Sequence, residues 1–513
     1  MLAENKRIIK NTVVNYIGLL VNTVLGIFIS RYVLWALGAS DYGLYGVVGG
    51  LIGMLNVLST AMTTTTRRFI NTEMGTKNGN LNRTFNVCLM IHFGFAIFVL
   101  LLAETIGMYY IYNYLNVAPD KFDDAIFVFQ VSTLAAVIGI TNVPYQALVE
   151  AFERFDLSIG INIFNTVLKL LFVISLGVFN GNTLKIYAIG MSFLTVILFI
   201  FFRYTCFTKW KDLVSFKFYG EGILYKEILF FNNYTAIGAL ASISRTQGSM
   251  MIINYFFGTL VNAAFQIAYT IENYCTLFVN NIGRAAWPQI TQSFSGGRYS
   301  RTIHLTECMS RYTILLTLLI TIPLYAELEF IVNLWLKKVP EGALFFCYLT
   351  LIDTVVKSIC GGTSALVQAS GKIKWFQIID SGISIMTLPI SFILLKIGCP
   401  PETIIYLYII SSLLIRMVSF ILLKRIVGFN IYHYVKNVYA PIFFLLIIMG
   451  LYIYTYIHIT TFMTMAYQHI IGIIITFFIT STAIFIIGFT YQERNKLLLV
   501  IQKNTRIKYI IRK

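Results

Sequence analysis

The stretch TVVNYIGLLVNTVLGIFISRYVLWAL, residues 12–37, decides the fold class. Its only charged residue is Arg31. It is longer than the about 20 apolar residues that a helix needs to cross the hydrocarbon of a bilayer. It is also too long for the apolar part of a cleavable signal peptide, and no small-residue cleavage site follows it. The stretch therefore predicts a first transmembrane helix.

The composition of the whole chain agrees with that prediction. Of its 513 residues, 58% are hydrophobic and only 12% are charged, and the mean hydropathy is +0.76. A soluble globular domain has about 25% charged residues, so a soluble enzyme, a disordered chain and a fibre are excluded. The seven cysteines form no C-x-x-C pair, and we expect no metal and no cofactor.

Apolar segments long enough to span a bilayer recur along the chain. They predict an all-α polytopic membrane protein with about 14 transmembrane helices. Their approximate limits are 12–37, 43–66, 84–112, 125–149, 158–179, 183–206, 228–257, 261–283, 303–326, 342–366, 373–397, 403–425, 439–458 and 467–490.

The basic residues predict the orientation of these spans. If the N-terminus is cytoplasmic, 29 of the 39 Lys and Arg residues fall on the inner side and five on the outer side. This is the bias of the positive-inside rule, so we predict a multi-pass protein with both termini in the cytoplasm. The same bias accounts for the net charge of +17, and no nucleic-acid partner is expected.

Two halves of the sequence can be superimposed with a shift of 218–220 residues. The matching pairs are LGASDYGLY (37–45) with FGTLVNAAF (257–265), GNLNRT (79–84) with GRYSRT (297–302), and ALVEA (147–151) with ALVQA (365–369). Six spans in each half give both halves the same orientation, which predicts two parallel six-helix bundles followed by two C-terminal helices.

This repeat sets the predicted domains. They are an N-terminal bundle (1–206), a cytoplasmic linker (207–227), a C-terminal bundle (228–425), two extra transmembrane helices (426–490) and a basic cytoplasmic tail (491–513). We expect the tail to lie on anionic membrane lipids.

Three motifs resemble one family. The sequence RYVLWALGASDYGLYG (31–46), with RRF (67–69) and ALVQASGK (365–372), is similar to polysaccharide-unit flippases of the O-antigen or capsule type. These belong to the MOP (multidrug/oligosaccharidyl-lipid/polysaccharide) exporter superfamily, with the lipid II flippases and the MATE drug exporters. Span 1 lacks a carboxylate, and Arg31 is followed by Tyr32 instead of the Asp typical of lipid II flippases, so both features favour the polysaccharide branch.

The resemblance implies a flippase of the bacterial inner membrane. It would translocate lipid-diphosphate-linked oligosaccharide units to the outer leaflet for surface polysaccharide biosynthesis. The implied partners are the polyprenyl-diphosphate-linked oligosaccharide, membrane lipids and other polysaccharide-assembly membrane proteins.

Basic residues at membrane depth are candidates for contact with the diphosphate. A charge there is costly and is expected to face a cavity or a partner. Arg31, Lys169 and Arg245 lie within spans, and a diphosphate suits such cations because it accepts several hydrogen bonds. Arg67 and Arg68 lie at the inner mouth, where they either recruit the headgroup or only follow the positive-inside rule. Arg416 is close enough to the inner end of its span to extend towards the interface.

Acidic residues at similar depth are candidates for ion pairs or for coupling. Asp353 and Lys357 are four residues apart and share a helix face. Glu272 is a candidate partner for Arg245. Asp380 lies near the inner end of span 11, where it can meet water.

Two other functions remain open. One is a cation-coupled multidrug exporter of the same superfamily, and the other is a membrane-embedded polysaccharide polymerase or glycosyltransferase. The second is disfavoured because such proteins usually carry catalytic acids or histidines on a sizeable outer loop, whereas the outer acids here lie in short loops. We therefore predict that the protein is not an enzyme.

Overall fold

The computed structural model describes most of the chain. The described residues are 2–55, 57–75, 79–152, 154–179, 181–220, 222–336, 338–359, 361–370, 373–460 and 465–495. Within these ranges the structure consists of helices and short connections and contains no strand. The predicted all-α polytopic fold is confirmed. The part of the predicted tail beyond residue 495 lies outside the described residues.

The first half of the chain forms eight α-helices. They are α1 (Leu2–Leu55), α2 (Val57–Gly75), α3 (Leu81–Leu102), α4 (Met108–Tyr114), α5 (Phe122–Ala151), α6 (Phe155–Ser175), α7 (Thr183–Lys209) and α8 (Lys211–Val214). Polar caps fix two of the starts. The Asn80 side chain accepts a hydrogen bond from the backbone N–H of Arg83 before α3, and Asn182 accepts one from Lys185 before α7.

The second half forms seven α-helices, and three more follow at the C-terminus. The seven are α9 (Gly222–Ser295), α10 (Tyr299–Ala326), α11 (Leu328–Trp335), α12 (Ala343–Ser358), α13 (Gly361–Ala369), α14 (Ile373–Lys396) and α15 (Thr403–Val427). The last three are α16 (Ile431–Tyr434), α17 (Ala440–Thr460) and α18 (Ala466–Ala483).

The two longest helices are each broken at a single glycine. Gly38 in α1 has φ 75° and ψ 169°, and Gly258 in α9 has φ 77° and ψ −169°. Only glycine adopts this backbone conformation readily. The breaks lie in the two turns that the sequence predicts, so α1 and α9 each consist of two consecutive helices.

The helix count agrees with the predicted spans once the breaks are considered. By length and apolar composition, 11 described helices are able to cross a membrane, or 12 if the bent pair α12 and α13 is one span. Dividing α1 and α9 at their glycines adds two helices, although the second part of α1 (39–55) is shorter than a full span. The protein is a multi-pass membrane protein, and the predicted span 342–366 is a broken helix with a bend of 43°.

The predicted repeat is visible in the helix bounds. Helix α3 begins at Leu81 and α10 at Tyr299, a shift of 218 residues, and the glycine breaks are separated by 220. Helices α7 and α15 begin at Thr183 and Thr403, 220 residues apart. The internal repeat is therefore structural, whereas the exact domain boundaries and the orientation in the membrane stay predictions.

By its contacts the chain divides into two compact units. The first unit comprises Met1–Gln266, Trp335–Ala343 and Ser384–Ile404. The second unit comprises Ile267–Leu334, Leu344–Ile383 and Ile405–Lys513.

Each unit has its own apolar core. In the first unit, Phe85, Leu148 and Phe202 are buried together where α3, α5 and α7 meet. In the second unit, Leu318 of α10 and Leu445 of α17 belong to one buried cluster. The C-terminal helices are thus packed onto the second unit.

The glycine breaks give the first prediction. Gly38→Ala and Gly258→Ala each lower the free energy of unfolding by about 1–3 kcal/mol, because alanine is strained in this backbone conformation. A Cβ atom at either position would meet no atom within 4 Å, so the loss comes from the backbone alone. Thermal unfolding in detergent measures it.

The matched control is Gly94→Ala. Gly94 lies on an exposed face of α3 and also has open space around it. Alanine in a regular helix raises stability by about 0.5–1 kcal/mol. Equal effects at all three glycines would show that the breaks do not depend on glycine.

Candidate functional site

The two helix breaks lie in contact within the first unit. The hydroxyls of Ser40 and Thr259 are 3.1 Å apart, and the Asn262 carboxamide donates a hydrogen bond to the carbonyl oxygen of Gly43. A Cβ atom on Gly43 would lie 2.0 Å from the carbonyl oxygen of Thr259. The absence of a side chain at Gly43 therefore allows the second part of α1 to approach α9 closely.

This contact continues along one face of α1. The residues that form the face, Gly43, Gly46, Gly50 and Gly53, are three or four positions apart. A Cβ atom on Gly46 would lie 2.1 Å from Gln266, and one on Gly50 would lie 2.6 Å from Gln247. Sequence reasoning missed these glutamines, although the glycine spacing was a visible signal of close helix packing.

The loop before α5 also contacts α9 within the first unit. The Asn254 carboxamide accepts a hydrogen bond from the backbone N–H of Asn116 and donates one to the backbone carbonyl of the same residue, both at 3.1 Å. Nearby in the sequence, Lys121 forms an ion pair with Asp41 at 3.0 Å. These contacts hold the loop before α5 against both glycine-broken helices.

Two of the predicted cations lie on neighbouring helices of the first unit. Helix α1 contacts α6 where Thr166 donates a hydrogen bond to Asn22 at 2.7 Å, and it contacts the turn just after α6 where Trp35 lies beside Gly177. Arg31 and Lys169 lie between these two contacts along their helices. Arg31 and Lys169 therefore lie on the same segment of two packed helices.

Neither cation has a carboxylate partner in the described part of the chain. Arg31 is half-buried, and its Nε atom is buried without a hydrogen-bond partner there. Lys169 is also half-buried, and no ion pair or hydrogen bond joins it to another described residue. Both cations lie on helices, Arg31 on α1 and Lys169 on α6.

Arg245 lies on α9 in the same unit and is half-buried. Arg31 precedes Gly38 by seven residues and Arg245 precedes Gly258 by 13. At about 1.5 Å per residue these separations correspond to about 10 and 20 Å. Because the two breaks are in contact, the three cations of this unit lie within a limited range of depth.

Arg67 and Arg68 differ in their surroundings. Arg67 forms an ion pair with Glu150 at 3.2 Å, and Gln146 donates a hydrogen bond to the other oxygen of that carboxylate. Arg68 is exposed on α2. A headgroup that binds Arg67 has to compete with Glu150.

The second unit holds a cluster of one lysine and two acids. Lys357 contacts Glu272 directly and lies 2.7 Å from Asp353. Asp353 is 1% exposed and also accepts a hydrogen bond from Ser412. The predicted Asp353–Lys357 pair is therefore present, and Lys357 contacts Glu272 as well.

Two further charged residues of the second unit lie on α14 and α15. Asp380 is half-buried on α14. Arg416 is 6% exposed and donates to the Thr363 hydroxyl at 3.4 Å, so the expectation that it extends towards the interface is wrong. Its helical spacing from Ser412 was the signal that it faces the interior.

Polar contacts anchor the C-terminal segment within the second unit. Glu493 accepts hydrogen bonds from Tyr312 and Thr490 and forms an ion pair with Arg311 at 3.1 Å. Burial raises the pKa of Glu493, but these hydrogen bonds and the charge of Arg311 outweigh it, and the pKa lies below its ordinary value. The stabilisation is present above the ordinary carboxyl pKa and is lost as the pH falls through the lowered value.

Comparisons with solved structures identify the fold. A multidrug resistance MATE family transporter of the MOP superfamily, in an inward-facing conformation, matches with a TM-score of 0.65 and 15% identity, over 77% of this chain and 93% of that chain. The lipid II flippase MurJ, in an inward closed conformation, matches with a TM-score of 0.67 and 13% identity, over 93% of this chain and 99% of that chain. The chain therefore shares the fold of these two proteins.

The likeness is one of fold alone, because both identities are low. A MATE protein in complex with MaD3S matches with a TM-score of 0.52 and 16% identity, over 83% of this chain and 97% of that chain. No protein-family model and no curated protein matches the sequence. The first two of these structures are named as a transporter and as a flippase.

The contact between the breaks gives a second prediction. In a variant whose natural cysteines are replaced, Ser40→Cys combined with Thr259→Cys forms a disulfide on mild oxidation, because the two side-chain oxygens are 3.1 Å apart. A mobility shift after protease cleavage between the two sites detects it. Each single-cysteine variant serves as a control, and failure to cross-link would contradict the observed contact.

The lysine cluster gives a third prediction. Lys357→Met removes the cation from between Glu272 and Asp353 and lowers the free energy of unfolding by about 3 kcal/mol. Adding Glu272→Gln and Asp353→Asn to that variant recovers most of the lost stability, because the two carboxylates, which repel each other without Lys357, are replaced by neutral amides. Thermal unfolding measures both effects, and a stable single variant would show that the cluster does not depend on Lys357.

Proposed function

We propose that the protein is a flippase that translocates lipid-diphosphate-linked oligosaccharide units across the bacterial inner membrane for surface polysaccharide biosynthesis. The observation that carries the proposal is the presence of Arg31 and Lys169 at membrane depth on contacting helices. No carboxylate is paired with either in the described residues. An uncompensated charge at that depth costs about 2.5–3.5 kcal/mol on insertion scales, and a diphosphate is a ligand that offsets this cost.

The chemistry of the cations fits a diphosphate. Arg31 and Arg245 can each donate two parallel hydrogen bonds to phosphate oxygens, and Lys169 adds a point charge. The headgroup then crosses by alternating access through a central cationic cavity, while the lipid tail stays in the bilayer. Arg67 and Arg68 recruit the headgroup at the cytoplasmic mouth, with both chain termini on that side.

We assign the charges of the second unit to ion pairing and coupling. Lys357 contacts two carboxylates, Glu272 and Asp353, and neutralises one of them. The remaining negative charge can take up a proton or a cation, and Asp380 adds a further carboxylate in this unit. Binding and release of that proton or cation would drive the change between inward-facing and outward-facing conformations.

A cation-coupled multidrug exporter is the second candidate, because a MATE transporter shares the fold. Two observations favour the flippase. The likeness to the lipid II flippase extends over 93% of the chain, against 77% for that transporter. The charged residue in the described part of the first span, Arg31, is a cation, which repels cationic drugs.

The fourth prediction tests the cations. In vesicles containing undecaprenyl diphosphate with an attached oligosaccharide, Arg31→Ala combined with Arg245→Ala lowers the translocation rate by at least about tenfold, since each charge-assisted hydrogen bond contributes about 1.5–3 kcal/mol. Replacing both residues with Lys keeps the charge and retains part of the rate. Accessibility of the glycan to an added glycosidase measures translocation.

The matched control is Arg154→Ala, which removes an exposed arginine paired with Asp156. We expect it to leave the rate unchanged. An unchanged rate in the double alanine variant would refute the role of the cations. Gradient-driven efflux of a cationic dye, with no lipid translocation by the unmodified protein, would favour the multidrug exporter.

A further inference from the structure

A cavity of about 420 Å³ lies inside the first unit, between the second part of α1 and helices α5 and α7. Its size falls in the range of small-molecule sites, about 300–1,000 Å³. We call it the glycine cavity, and it is lined by Tyr45, Gly49, Ile52, Gly53, Ser132, Ala135, Ala136, Gly139, Ile140, Met191, Ser192 and Thr195. None of these residues is among the candidate site residues of the sequence analysis.

The lining carries no charge but offers hydrogen-bonding groups. Ser192 donates to the carbonyl oxygens of Val131 and Ala188, and Thr195 donates to that of Met191, so the lone pairs of both hydroxyls remain available as acceptors. The ring of Tyr45 is held edge-on against Tyr187, with 4.7 Å between the ring centroids. A half-buried aromatic face beside neutral hydroxyls is a surface that suits a sugar ring, which has both C–H faces and hydroxyl edges.

Glycines keep the cavity open. A Cβ atom on Gly49 would meet nothing within 4 Å, and one on Gly139 would meet only the Thr195 methyl group at 3.9 Å. Neither glycine has a positive φ, so their backbones do not require glycine. The open volume of the cavity therefore depends on the absence of side chains at Gly49 and Gly139, whereas the backbone conformation there does not.

A polar side chain of α9 lies next to one of the lining glycines. A Cβ atom on Gly53, which lines the cavity, would be 3.6 Å from the carboxamide nitrogen of Gln247. The carboxamide oxygen of Gln247 is buried without a hydrogen-bond partner among the described residues. Gln247 is two residues from Arg245, so the cavity lies next to the helix segment that carries one of the proposed diphosphate contacts.

The depth of the cavity also matches that of the cations. Gly49 follows the break at Gly38 by 11 residues, which corresponds to about 16 Å at 1.5 Å per residue. Arg31 and Arg245 lie about 10 and 20 Å from their breaks by the same measure. A headgroup held by these cations would therefore bring its first sugar to the level of the cavity.

We propose that the glycine cavity binds a neutral sugar ring of the lipid-linked glycan, the ring nearest to the diphosphate. This inference rests on the proposed function and adds a site for the sugar to it. The cations then hold the charged part of the substrate and the cavity holds the neutral part.

The lining favours a sugar over two other occupants. A lipid chain has a more suitable place in the groove of about 570 Å³ between α6 and α7, where Ser175 is the only lining residue with a polar side chain. A cationic drug needs a carboxylate, and none lines the glycine cavity. The combination of hydroxyl groups and one aromatic ring in the lining is the feature that favours a sugar over a lipid chain or a cationic drug.

The fifth prediction tests a variant in which a new side chain fills the cavity. In purified protein, we expect binding of undecaprenyl diphosphate bearing N-acetylglucosamine to be about tenfold tighter than binding of undecaprenyl diphosphate itself, the size of one or two net hydrogen bonds. Gly49→Leu places a side chain in the open space, abolishes this preference and leaves binding of the sugar-free lipid unchanged. Competition between the two lipids, followed by native mass spectrometry, measures the ratio.

The matched control is Gly94→Leu, the same change at an exposed helical glycine with equally open surroundings. It keeps the preference. Thr195→Val is a second variant that preserves volume and removes one hydroxyl, and it lowers the preference several-fold even if Gly49→Leu does not fold. A tenfold preference retained in a folded Gly49→Leu protein, or in Thr195→Val when the former does not fold, overturns the proposal.

The outcomes also separate this proposal from the proposed function. If the unmodified protein binds both lipids equally, the sugar site is refuted and the flippase proposal stands. If the unmodified protein binds neither lipid, the flippase proposal fails and the sugar site fails with it.

Discussion

The close contact between the two glycine-broken helices constrains the rest of the first unit. Gly43 lies against the backbone of Thr259, where a Cβ atom would be 2.0 Å from the carbonyl oxygen. Such an approach leaves no room for side chains between the helices, so it fixes their separation and their rotation. The contact also sets the relative depth of Arg31 and Arg245. Each arginine lies at a fixed distance along its helix from a glycine break, and the two breaks touch.

The two units treat their intramembrane charges differently. In the first unit, Arg31 and Lys169 have no carboxylate partner in the described ranges. In the second unit, Lys357 is placed between Glu272 and Asp353. A binding site for an anion needs the first arrangement and an element that exchanges a cation or a proton needs the second. The two units thus differ in how their charged side chains are compensated.

Local patterns in the sequence predicted much of this fold, and contacts between distant segments were the part that they missed. Apolar runs and the paired glycines at 38 and 258 located the spans and their breaks, because span length and glycine backbone freedom are local properties. The Asp353–Lys357 pair was predictable from its four-residue spacing. Glu272 comes from another helix, and the burial of Arg416 depends on helix rotation, so counting residues from the span end could not give either. Gln247 is neither apolar nor charged, and its place beside Gly53 is visible only in the structure.

The hydrogen bonds between Asn254 and Asn116 have a consequence for sequence variation. The Asn254 carboxamide pairs with the peptide group of residue 116, which every amino acid except proline provides. Selection on this contact therefore acts on one partner and not on the other. The Asn116 side chain makes a separate hydrogen bond to the Tyr255 carbonyl oxygen at 3.3 Å, so a change at position 116 loses that bond but keeps both bonds of the Asn254 amide. Covariation between positions 116 and 254 would therefore be weak although they touch.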